Sequence, residues 1–137
     1  MKDRGYIKIT EEPIGNWKVE ARLVDGNVWL AQHEIARLFG VFVATVRNNL
    51  RAIFKNGVLF ESQVSRQFPT GPKYSDMFYN LEAIIFLSFR CATFEARIFR
   101  QWVLHGLYEH YRDDKPKEPS VILVYNYDPK QPGLILS

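Results

Sequence analysis

Arg47, Asn48, Arg51 and Lys55 stand one, three and four residues apart in turn. On an α-helix that spacing collects them on one face, with Ala44 one turn earlier. Their side chains suit the edges of base pairs and the phosphates between them. A guanidinium such as Arg47 or Arg51 offers paired donors to guanine O6 and N7, or to a phosphate, and the Asn48 amide can both donate to and accept from adenine. Lys55 and Arg37 suit phosphates, which position a protein without specifying sequence. From Glu34 to Glu61 no acidic residue intervenes, while Arg37, Arg47, Arg51 and Lys55 all lie between them. The net charge is only +3, so the rest of the chain is slightly acidic and the positive charge is concentrated here. A polyanion is the natural partner for such a patch. The competing reading is a solvated helix face whose basic residues serve solubility.

Catalytic chemistry finds little support. His33, His105 and His110 are badly spaced for a metal, and a five-residue step does not put the last two on one helix face. There is no His-Glu-x-x-His, phosphate loop or Gly-x-Ser-x-Gly. Cys91 is the single cysteine, so no intrachain disulfide or Cys-based zinc site is available. Arg90 beside it could activate the thiol, but its place at the end of an apolar helix favours a buried structural cysteine. Glu82, Glu95 and Glu109 read as surface helix charges. A non-enzymatic protein without cofactor or metal is expected. The first residues lead into no apolar segment, and the run Leu81–Phe89 is too short to span a bilayer. No membrane association and a cytoplasmic location are the corresponding expectations.

The elements that would position the basic face are two short helices, about Gln32–Phe39 and Val43–Lys55. Ile35, Phe39, Val41, Val46 and Leu50 fall where two crossed helices touch, and Ala36 is small at their closest approach. Val43, Ile53 and Phe54 complete the apolar side of the second helix. Gly40 opens the turn between them, and Asn56-Gly57 ends the second helix. This is the pattern of a helix-turn-helix, whose second helix enters the DNA major groove. Gln32, at the start of the first helix, could hold the DNA backbone.

Around it, Lys18–Leu23 alternates like a half-buried strand, and Asp25-Gly26 favours a hairpin returning through Asn27–Leu30. The residues through Gly15 show no clear period. Ser62–Phe68 and Lys73–Tyr79 read as strands joined across Pro69-Thr70-Gly71-Pro72, a second hairpin in the position of a wing. Arg66 and Lys73 would bring charge to phosphates there, although two basic residues near a turn are common on any protein surface. Asn80 should cap an apolar helix over Leu81–Arg90, central in the core. Thr93 should cap another over Phe94–Tyr111, with Phe94, Ile98, Trp102, Val103 and Leu107 inward and Arg97, Gln101, His105 and Glu109 outward. Asp113–Pro119 reads as a linker, Val121–Tyr127 as a strand, and Leu134-Ile135-Leu136 as an apolar end.

Val28-Trp29-Leu30-Ala31-Gln32, Leu38-Phe39-Gly40-Val41, Val64-Ser65-Arg66-Gln67-Phe68, Tyr79-Asn80-Leu81-Glu82-Ala83-Ile84-Ile85 and Phe99-Arg100-Gln101-Trp102 occur in the order in which the RhuM-type virulence-protein family has similar segments. The chain resembles that family over roughly two thirds of its length, from Lys18 to Tyr111. The resemblance implies a bacterial or mobile-element protein with a DNA-binding helix-turn-helix. Two positions depart from the family pattern. Ala31 stands where a Thr or Ser would cap the first helix, removing roughly 0.5–2 kcal/mol. Phe42-Val43-Ala44 replaces a polar start to the second helix. Phe42 or Ala44 would then meet thymine methyl groups, or Phe42 would pack on protein.

The expected fold is α+β: a winged helix-turn-helix with an N-terminal β-hairpin, a second hairpin as wing, two C-terminal helices and a short terminal strand. Residues 1–112 would form the domain and 113–137 a linker and tail. The expected partner is double-stranded DNA, bound sequence-selectively in transcriptional control or mobile-element biology. The alternative is a protein-interaction module that keeps the fold without base readout. A homodimer through the last helices or the tail is the expected assembly, with Val121–Tyr127 either closing its own domain as an edge strand or adding to a partner's sheet.

Overall fold

Strand β2 (Trp17–Val24) alternates inside and outside as its sequence demands, with Val19, Ala21 and Leu23 buried. The computed structural model describes residues 3–112 and 119–127. Within them β2 is the centre of a three-stranded antiparallel sheet, flanked by β1 (Tyr6–Glu11) and β6 (Ser120–Asn126). Ile7 lies opposite Ala21 and Ile9 opposite Val19, so both turn toward the same apolar face. Residues before Gly15 therefore do carry a strand, and the N-terminal hairpin is β1–β2, not a return through Asn27–Leu30. The Asp25-Gly26 turn is real, with φ of 54° and 75°. It closes only one bridge, Val24 to Asn27. The Asn27 side chain accepts from the Leu81 N–H at 2.9 Å, 54 residues away. The chain then leaves for the second sheet.

That sheet has the order β3-β5-β4, from β3 (Leu30–Ala31), β4 (Ser65–Gly71) and β5 (Tyr74–Tyr79). The β4–β5 turn is at Pro72 and Lys73; Pro69, Thr70 and Gly71 belong to the strand, with a register irregularity between Pro69 and Gly71. Edge strand β4 tolerates a proline that a central strand would not.

Helices α1 (Gln32–Phe39) and α2 (Val43–Lys55) have the predicted bounds. Ile35, Ala36, Phe39, Val46, Leu50 and Ile53 are buried. Val43 is instead 39% exposed. Gly40 ends α1 at φ 64°, and a Cβ there would come within 3.0 Å of Glu95 Oε2. Gly57, at φ 71°, ends α2, with the Val58 N–H bonded to the Ile53 carbonyl.

A four-residue helix, α3 (Glu61–Val64), precedes β4. Asn80 caps α4 (Leu81–Ser88) through the Ala83 N–H at 3.1 Å. Ala83, Ile84, Leu87 and Ser88 are buried, but Phe86 is exposed, so α4 is covered on one side rather than all round. Thr93 caps α5 (Phe94–Arg112) through the Ala96 N–H and donates to the Phe39 carbonyl at 2.6 Å. Of the predicted inner face of α5, Ile98 and Trp102 are buried and Val103 partly so; Phe94 and Leu107 are exposed. One apolar cluster runs through both sheets and the helices, with Phe39 edge-on to Phe99 at 5.2 Å. Strand β6 is thus paired to β2 within the chain over its whole length. Residues 113–118 of the expected linker and the apolar end Leu134-Ile135-Leu136 lie outside the described residues.

Candidate nucleic-acid interface

The core contacts of α2 leave its opposite side free. Ala44, Arg47, Asn48, Arg51 and Lys55 are all exposed there. At 1.5 Å per residue, Arg47 to Lys55 covers about 12 Å of helix. Among the described residues the ion pairs are Arg4 with Glu34, Lys18 with Glu20 and Arg22 with Asp3. None involves α2. Its cations therefore face solvent without an anionic neighbour, although like charges four residues apart cost a helix about 0.2–0.5 kcal/mol per pair. Asn49, between two of these residues, is used differently: its carbonyl accepts from Arg90 Nε at 3.0 Å and ties α2 to the end of α4.

The start of α2 is open. Phe42 occupies the N-cap position, is 82% exposed and supplies no side-chain acceptor. The first turn holds no acidic residue. The leading end is therefore a positive helix pole flanked by apolar side chains, suited to an anion or to a methyl-bearing surface. By contrast, the start of α1 is closed. Ala31 gives no side-chain cap, but its N–H donates to Glu34 Oε1 at 2.8 Å, and Arg4 bonds the same oxygen.

The other expected site residues lie on other elements. Gln32 is partly buried, and its amide donates to the Tyr79 hydroxyl at 3.3 Å. It fixes α1 to β5. Arg37 is exposed on another side of α1, where it lines a cleft of about 360 Å3 against β1 with Tyr6, Lys8, Leu30, Glu34 and Leu38. Arg66 lies on β4 with its guanidinium 4.8 Å from the Trp29 ring and 6.0 Å from Phe68. Lys73 sits in the exposed turn of the β4–β5 hairpin. The base of that hairpin is linked to α2 by Phe54 stacking on Tyr79 at 6.4 Å. The helix face thus comes together as one surface, while Arg37, Arg66 and Lys73 lie on separate elements, α1, β4 and the β4–β5 turn.

Arg4 has no counterpart in the sequence reading. It bonds the Trp29 carbonyl at 2.9 Å and lies 4.3 Å over the Phe78 ring, so it holds the second sheet to α1. No periodic signal marks it; only the folded chain brings residues 4, 29, 34 and 78 together.

Titratable groups elsewhere are structural in character. Burial raises the Cys91 thiol pKa above its ordinary value, against the opposing effect of Arg100 and Arg90. Arg90 donates to Asn49, and Arg100 donates to the Ser88 and Cys91 carbonyls. The Tyr6 hydroxyl donates to Glu20 at 2.6 Å, which lowers the carboxyl pKa and raises that of the phenol. Among the described residues no group of three or more His, Cys, Asp or Glu is arranged to hold a metal ion. No helix among them is long and apolar enough to cross a membrane.

Comparison with known protein families, characterised proteins and solved structures finds no match to this chain.

Proposed function

We propose that this chain binds double-stranded DNA sequence-selectively, without catalysis, as a winged helix-turn-helix protein. Helices α1 and α2 form the helix-turn-helix, and the β4–β5 hairpin is the wing. The observation that carries the reading is the exposed face of α2, where Arg47, Asn48, Arg51 and Lys55 align without an ion-pair partner among the described residues. In the groove, Arg47 and Arg51 address guanine O6/N7 or phosphate, and Asn48 addresses adenine. Ala44 meets thymine methyl groups. Lys55 and Arg37 neutralise phosphates, as do Arg66 and Lys73 from the hairpin. Gln32 acts by holding α1 to β5. Transcriptional control is the activity such a binder exerts, and the RhuM-type resemblance supports a setting in mobile or virulence-associated DNA.

Selection of bound sequences from a random duplex pool tests this reading. An enriched motif with G or A at defined steps is expected. No enrichment at low salt favours a second reading, a protein-docking module on the same scaffold. Phe42 and Val43 favour that second reading, because an exposed apolar leading turn also suits a protein surface.

A further inference from the structure

Strand β6 forms one edge of its sheet among the described residues. The flanking bonds from Tyr127 N–H to the Trp17 carbonyl and from Asp25 N–H to the Pro119 carbonyl set the phase of its ladder with β2. Antiparallel pairing alternates. Val121, Leu123 and Tyr125 therefore spend their backbone groups on β2, while those of Ser120, Ile122, Val124 and Asn126 point to the open edge. On the outer face of this strand Ile122 is 53% and Val124 50% exposed. From Ser120 to Asn126 there is no charged residue.

Natural sheets protect their edges with charge, proline or cover. The opposite edge follows that rule: β1 carries Lys8 and Glu11 within the strand and lies beside α1. Between Ser120 and Asn126 strand β6 carries neither charge nor proline, its prolines lying only in the flanks at Pro119 and Pro129, and among the described residues no strand pairs with its outer edge. It is uncharged, long and apolar in the middle, which is how an edge that is meant to be paired is built.

We propose that β6 is a homodimer interface, at which two copies of this chain pair antiparallel about a two-fold axis through Leu123. The sequence Ser-Val-Ile-Leu-Val-Tyr-Asn is self-complementary in that register. Ile122 of one copy faces Val124 of the other, and Ser120 faces Asn126, each twice. The outward backbone groups bond one another in the same pairs, so the ladder phase is correct. A shift of two residues would set Val124 against Ser120 and leave one end without a partner. A charge close to a two-fold axis meets its own sign in the other copy, and a strand without charge avoids that repulsion. The two sheets would merge into one of six strands, and the partner strand would further cover the half-buried Val121 and Leu123. This interface stands independently of DNA binding.

The test is the mass of the full chain in solution by sedimentation equilibrium. At about 100 μM the wild-type chain should sediment at twice its 16.1 kDa. A chain with Ile122→Lys and Val124→Lys, and a second with Ile122→Glu and Val124→Glu, should each be monomeric. Mixed in equal amounts they should form a heterodimer, because each introduced lysine then meets an introduced glutamate. Val124→Pro removes only an N–H that points to the open edge, so it should give a monomer with an unchanged circular dichroism spectrum. It serves as the deciding variant if the charged chains do not fold. A monomeric wild-type chain, or a dimer that survives Val124→Pro, overturns the proposal.

Discussion

Arg47, Arg51 and Lys55 repel one another along α2, and among the described residues no ion pair offsets the cost. A polyanion would. The two arginines differ from a lysine in what they can read, since only a guanidinium presents a planar fork to guanine. If Arg47 reads a base, Arg47→Lys should keep nonspecific duplex affinity nearly intact while lowering preference for the selected site by about 1–3 kcal/mol. Competition between specific and random duplex measures it. Cys91 shows the opposite case, a reactive type held inert. Burial raises its pKa, so the folded state favours the neutral thiol. Its contribution is complete below the ordinary value of 9.0 and is lost as pH rises through the higher folded value. Cys91→Ala should therefore reduce the alkaline limb of a urea-stability profile above about pH 9; the raised Tyr79 and Tyr6 phenols would contribute to what remains.

At the scale of elements, local signals were legible and long-range pairing was not. Asn80 and Thr93 were readable as caps because each precedes an apolar run, and both make the bond expected of them. Thr93 does more, because its hydroxyl also donates to the Phe39 carbonyl, where α1 ends. Thr93→Ala should cost about 1–2 kcal/mol in urea unfolding, toward the upper end of the range for a lost cap. The Asp25-Gly26 turn was equally legible, yet its expected return strand failed. Backbone geometry at a turn does not say which strand wins the neighbouring ladder, and Asn27 was claimed by Leu81. Strand β1 escaped notice because only Ile7 and Ile9 mark its inner face. The start of α2 offers a trade between stability and binding. Phe42→Ser would supply the missing cap and lose little buried area, stabilising the fold by about 1 kcal/mol. If the leading turn meets thymine methyl groups, the same change should lower affinity for a selected duplex; thermal melts and anisotropy titrations separate the two effects.

For the whole molecule, the α+β composition followed from periodicity, while the way two small sheets share a core could not. Trp29, Glu34 and Phe78 meet Arg4 only after folding, and that junction sets α1 against the second sheet. The α2 face was readable because a helix turns sequence spacing directly into a surface. Arg37, Arg66 and Lys73 were harder to place, since they ride on elements whose mutual arrangement is tertiary. The central claim, that the α2 face binds DNA, is tested most directly by duplex affinity against salt for the wild-type chain and for Arg47→Ala with Arg51→Ala. Wild-type binding should weaken steeply as salt rises, with log K falling by about 0.9 per log unit of salt for each phosphate neutralised. The double variant, folded by circular dichroism, should bind far more weakly with a slope shallower by about 2 if both arginines contact phosphate, or nearly unchanged if both read bases. Equal affinity for both proteins, or no duplex binding by the wild-type chain at low salt, would contradict the account.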